Sequence, residues 1–166
     1  PDGVVIQLPL PPQINQQSIL NSIPPEKDVD VLSARAVGDF AVGKARVFPP
    51  VVGAVRALFE EYGIAYQAKH VVVVGAGTLV GKPVAAWLAN EKVSFTIVDE
   101  HTADISAFTK TADIIISGVG KAGLITGNMV LQYGEAREDR VIVYGEAGTG
   151  LTEFRYPVKA VTAGTF

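Results

Sequence analysis

The string Val-Val-Val-Val-Gly-Ala-Gly-Thr-Leu-Val-Gly-Lys-Pro at 71–83 concentrates the residues most able to do chemistry. A diphosphate carries negative charge and needs N–H donors. A tight glycine turn that opens a helix offers backbone amides with no side chain in the way. Gly75 and Gly77 occupy the first two positions of G-x-G-x-x-G; the sixth is Val80, and the last glycine falls one later, at Gly81. Ala76, Thr78 and Leu79 complete the candidate turn. Two roles fit these glycines: they cradle a dinucleotide, or Gly75 and Gly77 merely reverse the chain while Gly81 permits close helix packing. The surrounding pattern of strand, turn, helix and acid-tipped strand favours the dinucleotide. A P-loop does not fit, because Ala76 stands where its first glycine is needed and Pro83 where a hydroxyl would meet magnesium.

Asp99 and Glu100 close the next apolar run, where a carboxylate can accept hydrogen bonds from an adenosine ribose. The same charge repels a 2′-phosphate, so NAD is expected over NADP. The alternative is that these acids are solvated or cap the next helix. A second glycine turn, Ile-Ser-Gly-Val-Gly-Lys-Ala-Gly at 116–123, falls on the same sheet edge and is either a ligand loop or a plain exit from a strand. His70 and His101 are the only histidines and have no spaced partners, so no metal site is assigned. No serine lies in G-x-S-x-G, which disfavours acyl-transfer hydrolysis.

The elements that must position these residues follow from periodicity. Val51, Val55, Leu58, Phe59 and Tyr62 mark one amphipathic helix closed by Gly63. Strands are expected at 71–74, 95–98, 114–116, 141–143 and near 158–161. Helices are expected through Val84 to Ala89 and within 102–111. Short apolar runs without alternation, separated by helices, imply parallel strands covered on both faces, hence an α/β, doubly wound parallel sheet of Rossmann-like form. Upstream, Val4 to Ile6 reads as a buried strand stopped by prolines, Ile14 to Ser22 as a short helix, and 26–44 as a linker or a loop wrapping a site. Residues 1–45 therefore read as the remnant of a domain whose larger part lies upstream, and 46–166 as the dinucleotide-binding domain.

Composition narrows the classes. With 48% apolar residues, 14 Lys and Arg against 17 Asp and Glu, and a formal charge of −3, the chain can bury a core but offers no basic footprint for nucleic acid. Cysteine is absent, so there are no disulfides or thiolate sites. No apolar run is long enough for a membrane span, and a cytoplasmic protein is expected.

Val-Val-Ile-Gln-Leu-Pro-Leu-Pro at 4–11, Pro-Glu-Lys-Asp-Val-Asp at 25–30, the 71–83 string, 112–130 and Val-Ile-Val-Tyr-Gly at 141–145 together resemble the methylenetetrahydrofolate dehydrogenase/cyclohydrolase family. The resemblance implies a folate-binding domain followed by a Rossmann domain that forms homodimers. It also implies oxidation of 5,10-methylenetetrahydrofolate by hydride transfer, then hydrolysis of the methenyl product. By position, Gln7 matches a glutamine beside the folate and Asp30 the acid that bonds the pterin. The 75–81 turn would hold the pyrophosphate, with Val119, Gly120 and Gly145 near the nicotinamide. The family's catalytic lysine, in a Tyr-x-x-x-Lys motif upstream of Gln7, lies outside these residues, so cyclohydrolase chemistry is expected only where a longer chain supplies it.

The chain also departs from the family pattern. Val31-Leu32 stands for Gly-Phe or Gly-Leu, 48–53 lacks the threonine of Pro-Cys-Thr-Pro, and Gly75-Ala76-Gly77 replaces Gly-Arg-Ser. Glu100 replaces a serine, and a closing Pro-Gly-Gly-Val-Gly-Pro segment is missing. These departures keep two other readings open: a diverged, noncatalytic dinucleotide-binding or dimerisation module, and a Rossmann dehydrogenase for another substrate.

Overall fold

Four consecutive valines, each fully buried, form the centre of β1 (His70–Val74), and the sheet grows outward from them. The computed structural model describes residues 1–121 and 123–130, and beyond them the backbone of two further strands, Val141–Gly145 and Lys159–Ala163. In chain order the elements are α1 (Gln16–Asn21), α2 (Ala34–Ala41), α3 (Pro50–Glu61), β1, α4 (Gly81–Asn90), β2 (Ser94–Val98), α5 (Ile105–Thr109), β3 (Ile114–Ser117), α6 (Gly127–Val130), β4 (Val141–Gly145) and β5 (Lys159–Ala163), with a 3-10 turn at Pro25–Lys27. All strand pairs are parallel, in the order β2-β1-β3-β4-β5.

The period of two along a strand explains why the runs are uninterrupted. Val71 and Val73, with Ile114 and Ile116, pack against Val52, Val55 and Phe59 of α3 and Val84, Trp87 and Leu88 of α4. Val72, Val74 and Ile115 point the other way, onto Val98, Ala112 and Val130. Each face must be covered, and burying each valine contributes about 1.5–3 kcal/mol. The expected doubly wound sheet is the observed one.

Helix α3 starts with Pro50 at its first position, where a missing N–H costs nothing. It ends in a Schellman motif: Gly63, at φ 60, donates to Glu60 O and Ile64 donates to Phe59 O. Tyr62, expected on the buried stripe, is instead the half-exposed C-cap, because the helix has already ended.

Two upstream expectations are corrected. Val4 to Ile6 is not a buried strand. Val4 makes one isolated parallel bridge to Asp28, and Val5 is 65% exposed, since no further strand flanks it among the described residues. The stretch 26–44 is not merely a loop. It contains α2, whose N-cap Ser33 accepts from the Ala36 N–H and whose Ala36 and Phe40 join the same core cluster as α3 and α4. The Asn90 side chain donates to Phe40 O at 2.9 Å and ties α2 to α4. The short helix at 14–22 is present as α1, capped by Asn15. Among the described residues, no helix is long and apolar enough to cross a membrane.

Candidate functional site

The strand order places a topological switch point between β1 and β3. From β1 the chain crosses to β2 on one side, then returns through α5 to β3 on the other. Loops leaving the carboxyl ends of β1 and β3 therefore diverge and leave a crevice, where open α/β sheets bind ligands. The glycine turn at 75–80 and the loop beginning at Gly118 form its two rims.

The three glycines divide the labour. Gly75 has φ 101, a conformation side chains rarely adopt, and a Cβ there would lie 2.8 Å from Val119 Cγ1. Its own N–H extends the ladder to Val98 O at 2.7 Å. Gly81 opens α4, and a Cβ there would overlap Gly75 O and approach its carbonyl carbon to 2.7 Å. Gly77 is exposed and a Cβ on it would meet nothing within 4 Å. Close packing thus accounts for Gly81 and turn geometry for Gly75, while Gly77 leaves backbone open on the crevice side.

The amides between them are the main chemical feature. Among the described residues, the N–H groups of Ala76, Gly77, Thr78, Leu79, Val80 and Gly81 donate to no protein acceptor. The first bonds at the start of α4 are Lys82 N to Gly77 O and Val84 N to Val80 O, both 3.0 Å, and Pro83 has no N–H. The N-cap, Val80, supplies no side-chain acceptor. A ten-residue helix ordinarily satisfies such donors with Ser, Thr, Asp or Asn. Here they stay free beside the positive end of the helix dipole, a donor set that fits the oxygens of a diphosphate. Thr78 and the 56% exposed Leu79 lie at the outer rim, and half-buried Val80 faces inward.

Asp99 follows β2, one residue beyond the Val74–Val98 register pair. Its Oδ1 accepts from the His101 N–H at 3.0 Å, its N–H donates to Thr102 Oγ1, and its carbonyl accepts from Thr102 N–H, which fixes a tight loop. Glu100 points outward, its carboxylate 3.9 Å from His101 Nε2 in a solvent-exposed pair. Neither caps α5. Asp104 does, accepting from the Ala107 N–H at 3.2 Å. Sequence reasoning passed over Asp104, although an acid directly before a helical stretch was the available signal.

On the opposite rim, Val119 faces Gly75, and exposed Gly120 takes φ 60. Gly145 is the last residue of β4, paired with Ala163 on the carboxyl edge. Gln7 and Asp30 belong to the segments that precede α2. The Val4–Asp28 bridge sets their two segments side by side, yet exposed Gln7 donates only to its neighbour's carbonyl, Leu8 O, at 2.9 Å. No hydrogen bond among the described residues joins Gln7 or Asp30 to the other or to the glycine turn.

Burial, and next the charge of Asp28, pushes the Asp30 carboxyl above the usual carboxylate range. Asp28 itself is buried and accepts from the Leu32 and Ser33 amides, at 3.1 and 2.7 Å to one oxygen. That structural role was not evident from sequence. Between them Val31, 5% exposed, sits at φ 56. A cavity of about 710 Å³ lined by Asp28, Val31, Arg35, Asp39, Lys44 and Arg46 lies on this side of the molecule, and neither Gln7 nor Asp30 lines it. Among the described residues, no three His, Asp or Glu side chains converge as a metal-holding group.

The family model described as tetrahydrofolate dehydrogenase/cyclohydrolase, NAD(P)-binding domain, matches residues 49–143. The bifunctional protein FolD of Fusobacterium nucleatum is 46% identical over 130 residues, which cover 78% of this chain and 46% of that protein. FolD 2 of Lactobacillus johnsonii is 42% identical over 129 residues, with the same coverage. Among solved structures, the FolD methylenetetrahydrofolate dehydrogenase/cyclohydrolase of Campylobacter jejuni superposes with a TM-score of 0.81 at 28% identity, covering 97% of this chain and 59% of that one. The Trypanosoma brucei enzyme, complexed with NADP and an inhibitor, gives 0.78 at 28% identity over 99% of this chain and 59% of its own. The chain spans about half the length of the curated relatives it matches.

Proposed function

Since the chain belongs to the tetrahydrofolate dehydrogenase/cyclohydrolase family and carries its NAD(P)-binding domain, we propose that it binds a nicotinamide dinucleotide in the switch-point crevice and serves the oxidation of 5,10-methylenetetrahydrofolate to the methenyl compound. The observation that carries this is the row of six amides at 76–81 that find no acceptor among the described residues. Those N–H groups hold the diphosphate, Gly77 lets the backbone approach it, and Val119, Gly120 and Gly145 border the nicotinamide end. When bound, the dinucleotide supplies the hydride acceptor. The residues of this chain orient it and exclude water; hydride transfer asks little else of the protein.

NAD is the preferred form. Asp99 and Glu100 bring negative charge to the ribose end of the crevice, and Ala76 supplies no cation to offset a 2′-phosphate. Folate is bound with a folate domain beside Gln7 and Asp30, and hydrolysis of the methenyl compound requires a lysine that a longer chain supplies. Homodimerisation through the sheet domain and a cytoplasmic site of action complete the reading.

A second reading, a noncatalytic dinucleotide-binding module, draws on one feature. Val31 occupies a left-handed turn at the position where the family resemblance calls for glycine, directly after Asp30. Calorimetry with NAD and NADP, followed by an assay of NAD reduction with methylenetetrahydrofolate, separates the two. Binding with turnover supports the enzyme, binding without turnover supports the module, and tighter NADP than NAD binding overturns the coenzyme preference.

A further inference from the structure

The glycine turn departs from G-x-G-x-x-G at one place, a valine at the sixth position, and the opposite rim of the crevice accounts for it. A Cβ built on Gly118, the first residue after β3, would overlap Val80 Cγ1 and lie 2.6 Å from Val80 Cβ. Gly118 has no positive φ that would demand glycine on backbone grounds. What it provides is a hole, and the Val80 side chain fills it. Five residues earlier on the first rim and one residue later on the second, the relation is reversed: Gly75 provides the hole and Val119 the knob, with a Cβ at 75 only 2.8 Å from Val119 Cγ1. Two reciprocal valine-in-glycine contacts therefore span the crevice floor, and the Gly118 N–H donates to Val74 O at 2.9 Å beneath them.

We propose that Val80 is a positioning residue: by locking into the space at Gly118 it fixes the N-cap of α4 and so aims the free amides of 76–81 at a diphosphate. This rests on the dinucleotide reading above. Val80 has no side-chain oxygen with which to cap the helix, and its backbone, at φ −123 and ψ −67, is non-helical. Its backbone carbonyl accepts from the Val84 N–H at 3.0 Å, and its side chain is held by packing from the other rim. Ordinary caps spend a side-chain acceptor on these amides. A valine knob holds the same backbone while leaving every amide free for the ligand. Gly81, in turn, must be glycine because the locked turn brings Gly75 O against it, which displaces the final motif glycine by one residue.

The test is a double-mutant cycle at 80 and 118, read in affinity for ADP-ribose, which carries the diphosphate, and for adenosine, which does not. Gly118→Ala should weaken ADP-ribose binding by at least about tenfold while adenosine binding, followed by NMR, stays within about twofold. Val80→Gly should also weaken ADP-ribose binding, by freeing the turn. In the Val80→Gly background, Gly118→Ala should cost less than about threefold, because the overlap is gone. Circular dichroism and thermal melting establish that each variant is folded at the assay temperature. Equal costs of Gly118→Ala in both backgrounds, or equal losses for adenosine and ADP-ribose, would overturn the positioning role alone. Failure of the parent chain to bind either probe would overturn the dinucleotide reading, and the positioning role with it.

Discussion

Two of the loops that turn through positive φ, at Gly75 and at Val31, stand in contrast. At Gly75 the turn has φ 101 and a residue without a side chain; at Val31 it has φ 56 and a β-branched residue buried in the core. The first loop is locally consistent: turn, close approach and helix start each have the residue that sterics require. The second carries strain of the order of 1–3 kcal/mol that a glycine would not incur, offset by burying the valine side chain. The glycine turn at 75–81 adopts its geometry without backbone strain, while the turn beside Asp30 trades backbone ease for core packing.

The largest expected effect breaks the first loop. Gly81→Ala places a methyl group on the Gly75 carbonyl, backbone against backbone, with no flexible atom to yield. It should cost about 3 kcal/mol or more in urea unfolding. A cost under about 1 kcal/mol would mean that α4 can slide away from the turn. At the second loop an inversion is expected. In ordinary strand or helix positions Gly is less stable than Ala, but at Val31 both substitutions delete the two γ-methyl groups and only Gly, at the further loss of Cβ, relieves the backbone. Val31→Gly should therefore be more stable than Val31→Ala by about 1 kcal/mol, whereas at Val73 in β1 the order should be the usual one. Finding Ala ahead of Gly at both positions would remove the strain from the account.

Smaller effects sharpen the contrast. Lys92 also sits in the left-handed region, at φ 58, as the terminating residue of α4, with its N–H bonded to Ala89 O and the Val93 N–H to Leu88 O. Lys92→Gly should stabilise by about 0.5–1 kcal/mol in thermal or urea unfolding, since the α3 terminus already uses Gly63 in the same motif.

The smallest effect is electrostatic. Asp30 is raised in the folded state by burial and by Asp28, so the folded protein holds its proton more tightly than the unfolded chain. Stability from this group is full below the ordinary value of 3.8 and is lost as pH rises through the elevated folded value. Asp30→Asn should flatten that decline in a pH series of unfolding midpoints. An unchanged slope would show that the carboxyl titrates normally.

The central strands β1 and β3 could be read from sequence because they are continuous β-branched runs buried on both faces. Helices α3 and α4 were legible from their apolar stripes. Helix α2 was not, because eight residues interrupted by Gly38 give too little periodicity; its place is set by the Ser33 cap and by Asn90, fifty residues away. Val4 to Ile6 misled for the opposite reason: composition names a strand, but pairing needs neighbours that composition cannot supply. At the site, the glycines were visible, yet their separate duties were not, since Gly81 is explained by Gly75 O, Gly75 by Val119, and Val80 by Gly118 across the crevice. Asp99 and Asp104 look alike in sequence, and only the hydrogen bonds show that one pins a loop and the other caps α5.

Isothermal titration of the folded chain with NAD, beside its Gly77→Ala variant, tests the central claim most directly. The unpaired amides at 76–81 predict saturable binding to the parent, weakened at least about tenfold by a methyl group at 77, with the unfolding midpoint of the variant nearly unchanged because that position opens on empty space. No heat of binding at millimolar NAD, or equal affinity in parent and variant, would contradict it.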